Sequence, residues 1–101
     1  MTVTHGFHAT MTALPGKGGE LVGLLLGAPS LPHPDCPVFL VSRSAGDPDT
    51  VHVTEGWTSE AAHAAFFATP EAAALVARLQ PLLADEPRYA DAVPVGGKAA
   101  F

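Results

Sequence analysis

Basic residues are scarce in this chain: five lysines and arginines stand against ten acids, a net charge of −5 over 101 residues. Lys17, Arg43, Arg78, Arg88 and Lys98 are scattered rather than striped. Nucleic-acid binding needs a clustered cationic surface, so such a partner is not expected. The single cysteine, Cys36, excludes an internal disulfide framework and fits a reducing cytoplasm. It reads as a small buried residue at a strand start, with no cationic neighbour to make a thiolate. No Gly-x-Gly-x-x-Gly, phosphate loop or Gly-x-Ser-x-Gly occurs, leaving nicotinamide, flavin and nucleotide chemistry unsupported. No signal peptide pattern precedes the first apolar segment, and the run Leu21–Ala28 is far too short to span a bilayer. A cytoplasmic protein without a membrane partner is therefore expected. Five histidines invite a metal hypothesis. However, His5 and His8 point to opposite faces of one strand, and no helical pair has the i, i+4 spacing of metal ligands. No metal and no cofactor are expected.

What the chain has is apolar material. Hydrophobic residues make up 48% and charged residues 15%, enough for one core in a chain long enough for one domain. So small a domain with that excess is expected to hide apolar surface in an oligomer.

Residues 2–13 alternate: Val3, His5, Phe7, Ala9 and Met11 share one face, and Thr2, Thr4, His8, Thr10 and Thr12 the other. Leu21, Leu24, Leu25 and Ala28 line one side of a helix predicted over Glu20–Gly27, weakened by its glycines. Four prolines between Ala28 and Pro37 predict an irregular loop. Strands over Val38–Ser44 and Thr50–Trp57, joined by Gly46-Asp47-Pro48-Asp49, favour an antiparallel hairpin. Val51, Val53, Glu55 and Trp57 share one face of the third strand. Ser59 is a candidate N-cap, and Thr69-Pro70 sets a capping hydroxyl before a proline at the first helical position. The segment Pro70–Ala84 should bury Leu75, Val76, Leu79, Leu82 and Leu83, with Pro81 kinking or dividing it. A fourth strand over residues 88–95 completes the order β-α-β-β-α-α-β, close to the split βαβ plan. The expected class is α+β, ferredoxin-like, with a four-stranded antiparallel sheet covered by helices on one face.

Several motifs in order are similar to the antibiotic biosynthesis monooxygenase (ABM) family. Leu14-Pro15-Gly16-Lys17 leading to Glu20-Leu21 resembles its first strand-to-helix junction. Cys36–Phe39, Arg43-Ser44 and Asp47-Pro48 resemble its cysteine-led strand and turn. Trp57 with Ser59 behind it, then Thr69-Pro70, follow in register. The resemblance covers residues 1–95 as one domain and leaves 96–101 as a C-terminal tail. It implies a dimeric α+β barrel in which two sheets pack face to face. Thr4, Thr10, His52 and Thr54 would then lie near the homodimer interface.

Trp57 fixes an indole where the sheet meets its helices, either as a core aromatic or as the wall of a pocket that stacks on an aromatic ligand. His63 is either a solvated helical histidine or the proton-transfer group nearest Trp57. The family register turns His5 toward the helices, making it a second candidate, whereas His8 and His52 suit an interface or solvent and His33 water. Glu55 shares the Trp57 face and needs a partner if covered; an ion pair with Arg43 is preferred over a general base. Catalytic candidates are thus His63, Trp57 and His5, and the substrate-binding candidates Phe7, Phe39, Val53 and Phe66.

The chain also departs from the family. Haem-degrading relatives carry asparagine, tryptophan and histidine where this chain has Ala9, Phe66 and Val76, which disfavours haem. Quinol-oxidising and signal-degrading relatives carry histidines at Phe66 and Glu71, and anthrone-oxygenating ones an asparagine at Val53. The resemblance implies a cofactor-independent monooxygenase acting with dioxygen on an aromatic polyketide-like or phenolic molecule in secondary metabolism. A polyketide cyclase of the same fold and a non-catalytic small-molecule-binding protein are the alternatives.

Overall fold

Burial alternates along the first strand, β1 (His5–Thr12): Ala9 and Met11 are sealed while His8 is exposed, because successive side chains of extended backbone face opposite ways. The structure, a computed structural model, describes residues 2–98. Strands β2 (Val38–Arg43) and β3 (Thr50–Trp57) form the expected antiparallel hairpin. Strand β4 (Arg88–Ala92) pairs antiparallel with β1, giving the sheet order β2-β3-β1-β4. This is the ferredoxin-like α+β arrangement. β4 stops at Ala92 rather than at residue 95, just before Pro94, which has no N–H for a ladder. Met1 and residues 99–101 of the expected tail lie outside the described residues.

Helix α1 (Gly18–Leu26) begins two residues earlier than its apolar spacing predicts. The reason lies across the fold. The Asp49 carboxylate, in the β2–β3 turn, accepts the N–H groups of Gly16 at 3.0 Å and Gly18 at 2.9 Å, satisfying donors that a local cap would otherwise take. Gly18 is required there, since a Cβ would collide with the Pro48 carbonyl and with Asp49. Leu21 and Leu25 are buried. Burying each contributes roughly 1.5–3 kcal/mol, outweighing the roughly 1 kcal/mol cost of Gly23 inside the helix.

Ser59 Oγ accepts the Ala62 N–H at 3.0 Å and caps α2 (Glu60–Phe67). Thr69 Oγ1 accepts the Ala72 N–H at 3.2 Å and caps α3 (Pro70–Leu79), with Pro70 in the first turn. Pro81 ends α3, and the chain tightens into a 3₁₀ turn over Gln80–Leu82. Ala72, Leu79 and Leu82 are buried, but Val76, expected inside, is 37% exposed. It sits at the border of the stripe through Ala72 and Leu79.

Two apolar clusters result. The larger joins Ala9, Met11, Leu21, Leu25, Val51 and Val53 to the end of α3. The smaller holds Cys36, Trp57, Phe66 and Ala72. Phe39 packs against both. Among the described residues no helix is long and apolar enough to cross a membrane.

Candidate active site

Strand register builds the site. On the helix-covered face, Glu55 of β3 is flanked by Phe39 of β2 and Phe7 of β1, and Phe7 is in turn opposite Asp91 of β4. One step along, Trp57 lies opposite His5. The capped start of α2 then lowers His63 onto this patch, with ring centroids 4.7 Å from Phe7, 5.0 Å from Trp57 and 5.0 Å from His5.

The polar atoms of these residues meet. The Trp57 indole Nε1–H donates to Glu55 Oε1 at 2.9 Å. His5 Nε2 and His63 Nδ1 are 3.1 Å apart, and the same His5 nitrogen is 3.5 Å from Asp91 Oδ1. His63 Nε2 is sealed from solvent with no hydrogen-bond partner, 3.9 Å from Glu55 Oε1. Burial raises the Glu55 pKa above the ordinary carboxylate range, against the opposing pull of the indole N–H and of His5. Burial and the neighbouring His5 hold His63 below its usual value, while Asp91 and Glu60 pull it back up. Both shifts favour the uncharged form, so an imidazole and a carboxyl that each resist ionisation stand side by side.

A cavity of about 100 Å³ opens between the two apolar clusters. Phe7, Phe39, Val53 and Phe66 all line it. Glu55 is its single carboxylate, and Ser30, Gln80 and Tyr89 add neutral polar groups. Phe67, Val76 and Tyr89 line it too while remaining substantially exposed, which gives the cavity an apolar mouth. His5, His63 and Trp57 do not line it. Trp57 is wholly buried and spends its N–H on Glu55, so the indole is a support for the carboxylate rather than an open wall.

One other expectation fails for an identifiable reason. Arg43 does not pair with Glu55: the β2–β3 register sets it opposite Val51, and its Nε–H donates to the Pro48 carbonyl at 2.9 Å. His33 keeps partial exposure, as expected, while the proline-rich loop also packs its ring 5.4 Å from Trp57 and 5.5 Å from Phe66. The residue undervalued by sequence reasoning is Glu55. Its i, i+2 spacing from Trp57 was the signal, since that spacing sets both on one face of a strand. Cys36 is buried, its thiol pushed up to about 12, chiefly by burial and then by the Glu55 charge. Among the described residues no three histidine, cysteine, aspartate or glutamate side chains are grouped to hold a metal ion.

This fold and sequence have relatives. A protein from Chloroflexus aurantiacus J-10-fl, provisionally named an antibiotic biosynthesis monooxygenase, is 34% identical over 95% of this chain and 97% of its own, with a TM-score of 0.80. A Caulobacter crescentus CB15 protein with the same provisional name is 24% identical over 93% of this chain and 92% of its own, with a TM-score of 0.82. A Nitrosomonas europaea protein of unknown function shares the fold, with 21% identity, coverage of 98% and 96%, and a TM-score of 0.81. No curated protein sequence matches the chain. The family model described as antibiotic biosynthesis monooxygenase matches residues 4–78, spanning β1 through most of α3 and every residue of the Glu55–Trp57–His63–His5 group. The chain therefore belongs to the antibiotic biosynthesis monooxygenase family.

Proposed function

We propose that the protein is a cofactor-independent monooxygenase of small phenolic molecules, with Glu55 as the base that faces the substrate. The observation that carries this is an apolar, aromatic-walled cavity whose single carboxylate is buried and held by an indole N–H. Burial raises the carboxyl toward the pKa of a phenol, narrowing the gap that a general base must bridge. A cavity of about 100 Å³ is smaller than the roughly 300–1,000 Å³ of drug-sized sites and favours one ring over a fused polyketide. A larger substrate would project past Phe67, Val76 and Tyr89.

Glu55 takes the phenolic proton, and the phenolate passes an electron to dioxygen. Recombination at the open para carbon forms the C–O bond. Loss of that carbon's hydrogen and cleavage of the O–O bond then give a quinone and water. One phenol and one dioxygen become one quinone and one water, so the substrate itself is the reductant. The apolar walls and mouth limit the access of bulk water to the radical pair. His63 and His5 support Glu55 rather than touch the substrate, and Phe7, Phe39, Val53 and Phe66 hold the ring.

The apolar Val53 in the cavity wall favours a second reading, a cyclase, in which one acid/base carboxyl and pocket shape suffice. Turnover under argon separates the two, since only the oxygenase stops. Binding without turnover under either gas would leave a small-molecule-binding protein. We further propose that residues 1–95 act as one domain in a cytoplasmic homodimer. Among the described residues no helix covers the sheet face opposite Glu55, which carries Thr10 and His52 joined at 3.3 Å and Thr54 and His8 at 3.4 Å. With Thr4, these residues would lie near the interface, and a monomeric mass in light scattering would exclude it.

A further inference from the structure

Polar groups continue from Glu55 to the surface. His63 presents its unpartnered Nε2 toward Glu55 Oε1 and its Nδ1 toward His5 Nε2, which in turn faces Asp91. The His5 side chain is only 10% exposed, whereas that of Asp91 is 75% exposed. A buried nitrogen left without a partner forfeits the hydrogen bond it would make in water. An apolar side chain between Phe7, Trp57 and Phe67 would avoid that cost, so the imidazole calls for an explanation beyond packing.

We propose that His63 and His5 form a reversible proton store that takes a proton from Glu55, holds it beside Asp91, and returns it later in the turnover. This rests on Glu55 facing the substrate. Oxidation of a phenol to a quinone strips two protons, one from O–H and one from C–H, and both end in water. Glu55 can hold one at a time. With Glu55 protonated, His63 carries its hydrogen on Nδ1, donated to His5 Nε2, and offers a bare Nε2 to the acid. Glu55 gives its proton to that nitrogen while the Nδ1 hydrogen passes to His5. Glu55 is then a carboxylate again, His63 is neutral with its hydrogen on Nε2, and His5 is an imidazolium beside Asp91. Reversal delivers the proton to the departing oxygen and restores the first tautomer. Atoms and charge balance without a redox step.

The 3.9 Å gap between Glu55 and His63 is roughly 1 Å longer than a hydrogen bond, and the store requires that rotation of the Glu55 carboxyl close it in the ligand-free protein as well as in the complex. The charged and titratable groups around His63 come from every neighbouring element: His5 from β1, Glu55 from β3, Asp91 from β4 and Glu60 from α2 itself. Asp91 and Glu60 partly offset the burial and the His5 ring that hold the His63 pKa down.

The test needs no substrate. Trp57 is the sole tryptophan and its N–H sits on Glu55, so its single indole NMR resonance reports Glu55 ionisation. Imidazole nitrogen shifts report which His63 nitrogen carries hydrogen. In the ligand-free protein, His63 is expected to switch from Nδ1–H to Nε2–H in step with the indole titration. Glu55→Gln should abolish the switch. Asp91→Asn, on the surface, should move it to higher pH by removing the anion that favours the hydrogen on His5 Nε2. A His63 that keeps one tautomer throughout, or a switch indifferent to Glu55→Gln, overturns the store. A switch in a protein that oxidises no phenol upholds the store and removes the oxygenase reading. Oxygen uptake without the switch does the reverse.

Discussion

Replacing Trp57 by phenylalanine should destabilise the protein by an amount that grows with pH. The indole is wholly buried and its N–H lies 2.9 Å from Glu55 Oε1. Two costs follow. Loss of the pyrrole edge leaves a small void, worth about 1 kcal/mol at the usual cost per volume. Loss of the donor leaves a buried carboxyl oxygen unpaired, worth about 1–3 kcal/mol and more when the group is charged. The sign of the pH dependence follows from Glu55. Its folded pKa already lies above the unfolded value because of burial, and the indole is what opposes that rise. A raised acid binds more protons folded than unfolded, so its stability contribution is present at low pH and lost as pH rises through the folded value. Without the indole that loss deepens. The difference between Trp57→Phe and wild type should be about 2–4 kcal/mol at acid pH, where both costs fall on the neutral acid, and larger still at neutral pH, where the unpaired oxygen is charged. Urea denaturation followed by far-UV circular dichroism, at one protein concentration, measures it without tryptophan fluorescence. In a Glu55→Gln background the growth with pH should vanish. A constant difference across pH, or the same growth in that background, would refute the indole–carboxylate account.

Other outcomes follow from the same geometry. His63 is buried with a lowered pKa, so stability is present above its ordinary value near 6.5 and lost as pH falls toward the folded value; His63→Phe should flatten that acid limb in denaturation midpoints. Ser59→Ala and Thr69→Ala each remove a hydroxyl that accepts a helix N–H and should cost about 1 kcal/mol in chemical denaturation. The Cys36 thiol, pushed up to about 12, should react with a disulfide reagent only in denaturant; fast labelling of the native protein would contradict its burial.

Local chemistry made most of the fold legible. Period-two burial in β1 and β3, the Ser59 and Thr69 caps and the dividing Pro81 each act within a few residues. The start of α1 was not legible, because its N–H groups are satisfied by Asp49, 31 and 33 positions away in sequence. The same limit applies to the site. The sequence sets Glu55 and Trp57 on one face, but only the β2–β3 register shows that Arg43 stops short of them. His5 and His63 are 58 positions apart, and their contact depends on how α2 settles over β1. Phe7, Phe39, Val53 and Phe66 line the cavity because strand parity and helical spacing fix their directions. The imidazoles were harder to place, since both reach the cavity only through the carboxylate.

The most direct measurement is dioxygen consumption by wild type and Glu55→Gln on a monocyclic phenol, without added metal or flavin, beside binding of the same phenol. The substituted amide keeps a carbonyl oxygen for the indole N–H but cannot take a proton. Wild type should consume one dioxygen per quinone formed, both proteins should bind the phenol similarly, and turnover in the variant should be lower by about 100-fold or more, the usual scale for a general base. Turnover by Glu55→Gln at the wild-type rate, or phenol binding by wild type with no dioxygen consumed, would contradict this mechanism.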